Sequence, residues 1–169
     1  QELMERCTDV GLDFALAQLE AGADTIGIGD AIVSQISPQV YAELVFPHQQ
    51  RLVQGIQAAG GLVRLHICGN ISRHLTVIKG LGVNILDLDW PVDMAYARSV
   101  LGHEVILVAN PDPVEDIQGG NPERIKEKMR QLYDLAGNPF MLGAGCEIPL
   151  GTPAENLKAL CAPVPYRDS

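Results

Sequence analysis

An α/β fold made of repeated strand–helix units is predicted by three features of the sequence. Five short apolar segments are each bounded by turn residues, helix start and stop signals fall between them, and successive segments begin about 20 to 36 residues apart. A parallel strand pair needs a crossover of about a dozen residues or more, so this spacing points to βα units in a parallel sheet. The strands are read at 25–29 (TIGIG), 62–67 (LVRLHI), 83–86 (VNIL), 105–109 (VILVA) and 140–144 (FMLGA). Ser37-Pro38 is an N-cap followed by proline at the first helical position and opens a helix running toward Ala59, where Gly60-Gly61 stops it. Asn121-Pro122-Glu123 repeats the signal ahead of a helix over 124–135, with Gly137 as its stop. Thr152-Pro153-Ala154-Glu155 reads as a capping box that starts a helix through Leu160. Shorter helices are expected after Asn70 and Asp93.

Two architectures compete, an open doubly wound sheet and a (β/α)8 barrel. The first strand does not run into G-x-G-x-x-G, the dinucleotide fingerprint of the open sheet. A polar residue stands instead at every strand exit: Asp30, His66 with Cys68, Asp87 with Asp89, Asn110, and Cys146. In a barrel those exits surround one site. Eight units take about 250 residues, whereas five are read in 169, and the chain opens at Gln1 inside a helix-like pattern. The expectation is one partial domain over 1–169, the C-terminal part (about five βα units) of a TIM-type barrel. Absent strands would leave an open sheet edge, to be met by a longer chain or by self-association.

Twelve basic residues against 21 acidic ones give a net charge of −9, which offers no footprint for nucleic acid and is repelled by anionic membrane surfaces. No apolar run reaches the roughly 18 to 20 residues of a membrane span, and no basic-then-apolar leader is present, so the cytoplasm is expected. The cysteines, at 7, 68, 146 and 161, are too sparse for a disulfide framework and are expected to be reduced.

The sharpest chemical feature is Leu65-His66-Ile67-Cys68-Gly69. Strand positions two apart point the same way, so an imidazole and a thiol share one face. Cys146, within Gly143-Ala144-Gly145-Cys146-Glu147 at the last strand exit, offers a second thiol, and the glycines let the backbone come close to a ligand. One His and two Cys suit zinc with an open fourth position; the competing reading is a buried histidine with two small, apolar-like cysteines. Asp30 is either an orienting or proton-handling group or a turn residue. Of Asp87 and Asp89, Asp89 lies nearer the strand exit and is preferred for the site, against a plain loop before Trp90-Pro91. Asn110 is a substrate-side candidate or, preceding Pro111, a turn former. His48, His74 and His103 are read as surface or capping residues, and Cys7 and Cys161 as inert, partly buried thiols.

DTIGIGDAIVSQISPQVYAELVFP at 24–47, LHICGN at 65–70, LDLDW at 86–90, LVANPDP at 107–113 and GAGCEIPLGTPAENLKAL at 143–160 resemble the uroporphyrinogen decarboxylase superfamily over residues 10 to 160. Within it, H-I-C and G-C-E-I-P resemble the methylcobamide:coenzyme M methyltransferase branch, whereas decarboxylases carry glycine-histidine-glycine where this chain has Gly145-Cys146-Glu147. The resemblance implies zinc on His66, Cys68 and Cys146, and methyl transfer from a corrinoid on a partner protein to a small thiol. It places Asp30 and Ser34 in the pocket and makes Asp89 a candidate fourth ligand or proton acceptor. The alternatives it leaves are uroporphyrinogen decarboxylation without metal, and a non-catalytic module that binds a corrinoid or tetrapyrrole.

Overall fold

The computed structural model describes residues 2–161; Gln1, where the chain opens, lies outside them. Helix α1 (Glu2–Glu20) precedes β1 (Thr25–Asp30), and β2 (Leu62–Ile67), β3 (Ile85–Leu88), β4 (Ile106–Val108) and β5 (Phe140–Met141) follow in turn. All four strand pairings are parallel, and the order in the sheet is the order in the sequence. This is the α/β architecture of a partial TIM barrel. The third strand lies two residues later than its sequence pattern suggested, because Val83 and Asn84 serve as its approach: the Asn84 side chain accepts from the Val63 N–H at 2.9 Å.

Strand alternation divides the sheet. Ile26, Val63, Leu65, Ile67, Leu86, Leu88 and Leu107 point to the outer, helix-covered face and are buried. The positions between them point inward, where register sets Gly27 beside Arg64, Gly29 beside His66 and His66 beside Asp87.

The helix expected to run unbroken from Ser37 is interrupted. Ser37 caps it through the Val40 N–H at 3.2 Å, a first turn α2 (Pro38–Val40) passes into a π turn over Tyr41–Val45, and α3 (Phe46–Ala58) completes it. Periodicity does not foresee this, since one extra residue per turn leaves the composition unchanged. A second π turn covers Pro113–Gln118. Both shorter helices are present, α4 (Leu75–Lys79) and α5 (Met94–Leu101), the latter capped by Asp93, which accepts from the Tyr96 N–H. Helix α6 (Pro122–Ala136) carries its Asn121 cap as expected. Helix α7 (Ala154–Leu160) has no side-chain cap; the Thr152 hydroxyl donates instead to the Pro149 carbonyl at 2.8 Å, so the capping box does not form.

Arg98 of α5, which sequence reading passed over, is buried and donates to the carbonyls of Gly102, Val105, Ala136 and Pro139, tying α5, α6 and the starts of β4 and β5 together. No helix among the described residues is long and apolar enough to cross a membrane.

Candidate metal centre

His66, Cys68 and Cys146 converge at the carboxyl ends of β2 and β5. Their donor atoms form the one group of His, Cys and acidic side chains among the described residues with the compactness a metal needs. Cys68 Sγ lies 3.3 Å from His66 Nε2, Cys146 Sγ 3.7 Å from the same nitrogen, and the two sulfurs are 3.8 Å apart. A tetrahedral zinc ion, with about 2.3 Å to sulfur and about 2.0–2.1 Å to nitrogen, requires edges of about 3.8 Å between sulfurs and about 3.6 Å between sulfur and nitrogen. The three side chains already occupy a triangle of that size, so the donor set fits the ion in both chemistry and dimension.

The imidazole is oriented from behind. His66 Nδ1 lies 3.1 Å from the main-chain carbonyl of Asp87. A carbonyl can only accept, which assigns the proton to Nδ1 and leaves the Nε2 lone pair facing the sulfurs. Without an ion, burial raises the Cys68 thiol to about 11, with hydrogen bonding and charge from Cys146 and the charges of Asp89 and Asp30 adding to it. The Cys68 thiol is therefore protonated at neutral pH unless a cation compensates for the charge, and metal binding there must release its proton.

Each cysteine is placed by a glycine beside it. Gly69 follows Cys68 at φ +82°, and a Cβ there would stand 2.6 Å from the Ser34 hydroxyl; Gly145 precedes Cys146 at φ +75°, and a Cβ there would stand 2.5 Å from the Pro111 carbonyl oxygen. The close approach that glycine permits is thus to neighbouring strand exits, whereas the sequence suggested approach to a ligand.

The other candidates gather around this triangle as supports. Asp30 carries Cys68 on its main chain, where its carbonyl accepts from the Cys68 N–H at 3.0 Å. Its carboxylate accepts from the N–H groups of Ile32 and Val33 and from Gln49 Nε2 at 2.9 Å. Asp89 accepts from Gly69 N–H at 2.6 Å through one oxygen and from Trp90 N–H at 2.7 Å through the other. Asn110, 4% exposed, donates to the carbonyls of Asp89 and Val92. Asn110 therefore holds Asp89, Asp89 holds Gly69, and Gly69 fixes the turn after Cys68. Ser34 packs on that turn, half-buried.

One residue of the site, Arg64, was missed in the sequence, and Asp87 was set aside in favour of Asp89. Arg64 and Asp87 line the same open cleft of about 250 Å³ as His66 and Cys146, and Arg64 pairs with the Asp87 carboxylate. The available signal was the alternation Arg64, His66, Cys68 on one strand face. Outside the site, His74 is buried, not superficial: Nε2 meets the Ile36 carbonyl at 3.0 Å and its ring stands edge-on to Tyr41. Burial, and secondarily Asp30, raises the pKa of Tyr41. His103 is exposed and bonded to the Asn138 carbonyl, and His48 meets the Thr8 hydroxyl. Cys7 and Cys161 are exposed where partial burial was expected.

Residues 1–165 match the family described as Uroporphyrinogen decarboxylase (URO-D). Methylcobamide:CoM methyltransferase MtbA of Methanosarcina acetivorans is 32% identical over 160 residues, which are 94% of this chain and 46% of that protein. Methylated-thiol–coenzyme M methyltransferase of Methanosarcina mazei is 31% identical over 158 residues, covering 92% of this chain and 41% of that protein. Uroporphyrinogen decarboxylase of Geobacter sp. (strain M21) is 33% identical over 146 residues, covering 85% and 42%. Among solved structures, a methyltransferase from Methanosarcina mazei superposes with a TM-score of 0.82 at 27% identity, over 90% of this chain and 45% of that one. The chain thus spans about half the length of the curated relatives it matches.

Proposed function

The chain belongs to the uroporphyrinogen decarboxylase family, which contains both methyltransferases and decarboxylases, and from that premise we propose that it serves zinc-dependent methyl transfer from a methylated corrinoid, carried on a partner protein, to a small thiol. The observation that carries this reading is the triangle of His66 Nε2, Cys68 Sγ and Cys146 Sγ, sized for a tetrahedral ion and missing its fourth corner. When bound there, zinc would supply a coordination position at which a thiol gives up its proton while two cysteinates keep its sulfur electron-rich. The protein's own contribution is placement. Asp87 holds the imidazole in one tautomer, and Asp89 fixes the turn that follows Cys68. Gly145 brings the β5 exit against Pro111. In the overall reaction a sulfur–carbon bond forms, the cobalt–carbon bond breaks with its electron pair left on cobalt, and the thiol proton passes to solvent. A reducing, cytoplasmic setting suits two unpaired cysteines at this spacing.

Metal analysis of the whole protein tests the reading. It expects one zinc per chain, lost in Cys146→Ser, and thiol-dependent demethylation of methylcobalamin by the zinc-loaded protein. The identity to a uroporphyrinogen decarboxylase, 33%, is as high as that to a methylcobamide:CoM methyltransferase, 32%, and favours decarboxylation as the second reading. Conversion of uroporphyrinogen by protein free of zinc would establish it in place of methyl transfer. Zinc binding without transfer to any thiol would leave a binding module.

A further inference from the structure

We propose that Arg64 is a positioning residue for His66, acting through Asp87; the consequence for zinc rests on the reading above, whereas the orientation of the ring does not. Asp87 offers His66 Nδ1 two acceptors, its main-chain carbonyl at 3.1 Å and its carboxylate Oδ2 at 3.8 Å. An anionic oxygen is the stronger partner for an N–H, by roughly a factor of two over a neutral one, yet the ring sits on the carbonyl. The reason is on the neighbouring position of the same strand face. Arg64 directs both Nε, at 3.1 Å, and a terminal guanidinium nitrogen onto Oδ2, the same oxygen that is nearest to the imidazole. Register makes this arrangement possible: Arg64 and His66 are two apart on β2, and Asp87 pairs with His66 on β3.

The guanidinium thus occupies the competing acceptor and neutralises it. Without Arg64 the carboxylate, whose side chain is 12% exposed, would be a poorly hydrated anion with the His66 N–H as its nearest donor. Closing the gap from 3.8 Å to hydrogen-bond length turns the ring about Cβ–Cγ and swings Nε2 off the line to the two sulfurs. Arg64 itself is 44% exposed along its side chain, so its replacement removes an interaction and leaves the packed core alone.

The test is a double-mutant cycle in the intact protein with two readouts, zinc affinity by competition with a chromogenic chelator and the ring-nitrogen shifts of His66 by long-range ¹H–¹⁵N correlation in metal-free protein. Arg64→Met is expected to weaken zinc binding about 10- to 100-fold, the range for loss of a group that orients a ligand, and to shift the His66 nitrogens. Asp87→Asn keeps the main-chain carbonyl and is expected to stay near wild type. Arg64→Met combined with Asp87→Asn is expected to recover the affinity and the spectrum, because the competing anion is gone; Arg64→Lys, which retains a cation on the carboxylate, is expected to recover most of the loss. An unchanged affinity and spectrum in Arg64→Met would overturn the proposal, as would a double variant as impaired as the single one. If the wild-type protein takes up no zinc, the metal reading fails, and the metal-free nitrogen spectra still decide the role of Arg64.

Discussion

On the outer side of the sheet Ile26, Val63, Leu65, Ile67, Leu86 and Leu88 are closed off from water by helices; at alternate positions of the same strands stand Gly27, Gly29, Arg64, His66 and Asp87. One face carries branched aliphatic side chains that make the fold, and the other carries the glycines and the charged or titratable groups, with Ile85 and Val108 as buried aliphatics among them. Because the two alternate at every second residue, a single strand such as β2 supplies stability and chemistry without trading one for the other. The separation predicts that substitutions on the two faces are read by different measurements.

The largest effect on stability is expected on the outer face. Leu86→Ala, at a fully buried position, should cost about 2–5 kcal/mol, seen as a lower urea midpoint, while zinc stoichiometry in the folded fraction is unchanged. Asn110→Ala comes next, at about 1–3 kcal/mol, since it removes the side-chain donor to the Val92 carbonyl and one of the two donors to the Asp89 carbonyl, which keeps the Val92 N–H; a raised KM for thiol with unaltered stability would instead return Asn110 to the substrate side. Gly145→Ala should strain the backbone by about 1–2 kcal/mol and lower zinc occupancy disproportionately, because relief of the contact with Pro111 displaces Cys146. Cys68→Ser should change the stability of metal-free protein by less than about 1 kcal/mol and abolish zinc retention on dialysis. In the wild type, zinc should shield Cys68 and Cys146 from iodoacetamide while the exposed Cys7 and Cys161 react at an unchanged rate, read by peptide mass mapping. Loss of shielding with full zinc occupancy would separate the metal from this triangle.

The outer face was legible in the sequence because burial on a parallel sheet leaves short apolar runs between turn residues, and all five strands follow from that pattern. The triangle was legible for a similar reason: His66 and Cys68 are two apart, and glycines mark both cysteine turns. What the sequence concealed depends on partners across the sheet. Arg64 lies in an apolar strand, and nothing local says that Asp87 stands opposite His66 and not opposite Arg64. The hydrogen bonds of Asp89 and Asn110 likewise join residues about 20 positions apart. His74 was misread because an imidazole is equally at home in solvent or against Tyr41.

The π turn at Tyr41–Val45 has a consequence for insertions and deletions. In an α-helix, residues eight apart are separated by about 800° of rotation, some 80° past facing the same way. The extra residue absorbed in the π turn restores the phase, and the Tyr41 hydroxyl donates to Gln49 Oε1 at 2.7 Å while Gln49 Nε2 donates to Asp30. Deleting one residue from this turn would make the helix regular and leave Tyr41 seven positions before the glutamine, about 700° apart, so the two would still share a face within about 20°. A one-residue gap in a sequence alignment at this point is therefore compatible with the same contact to Asp30.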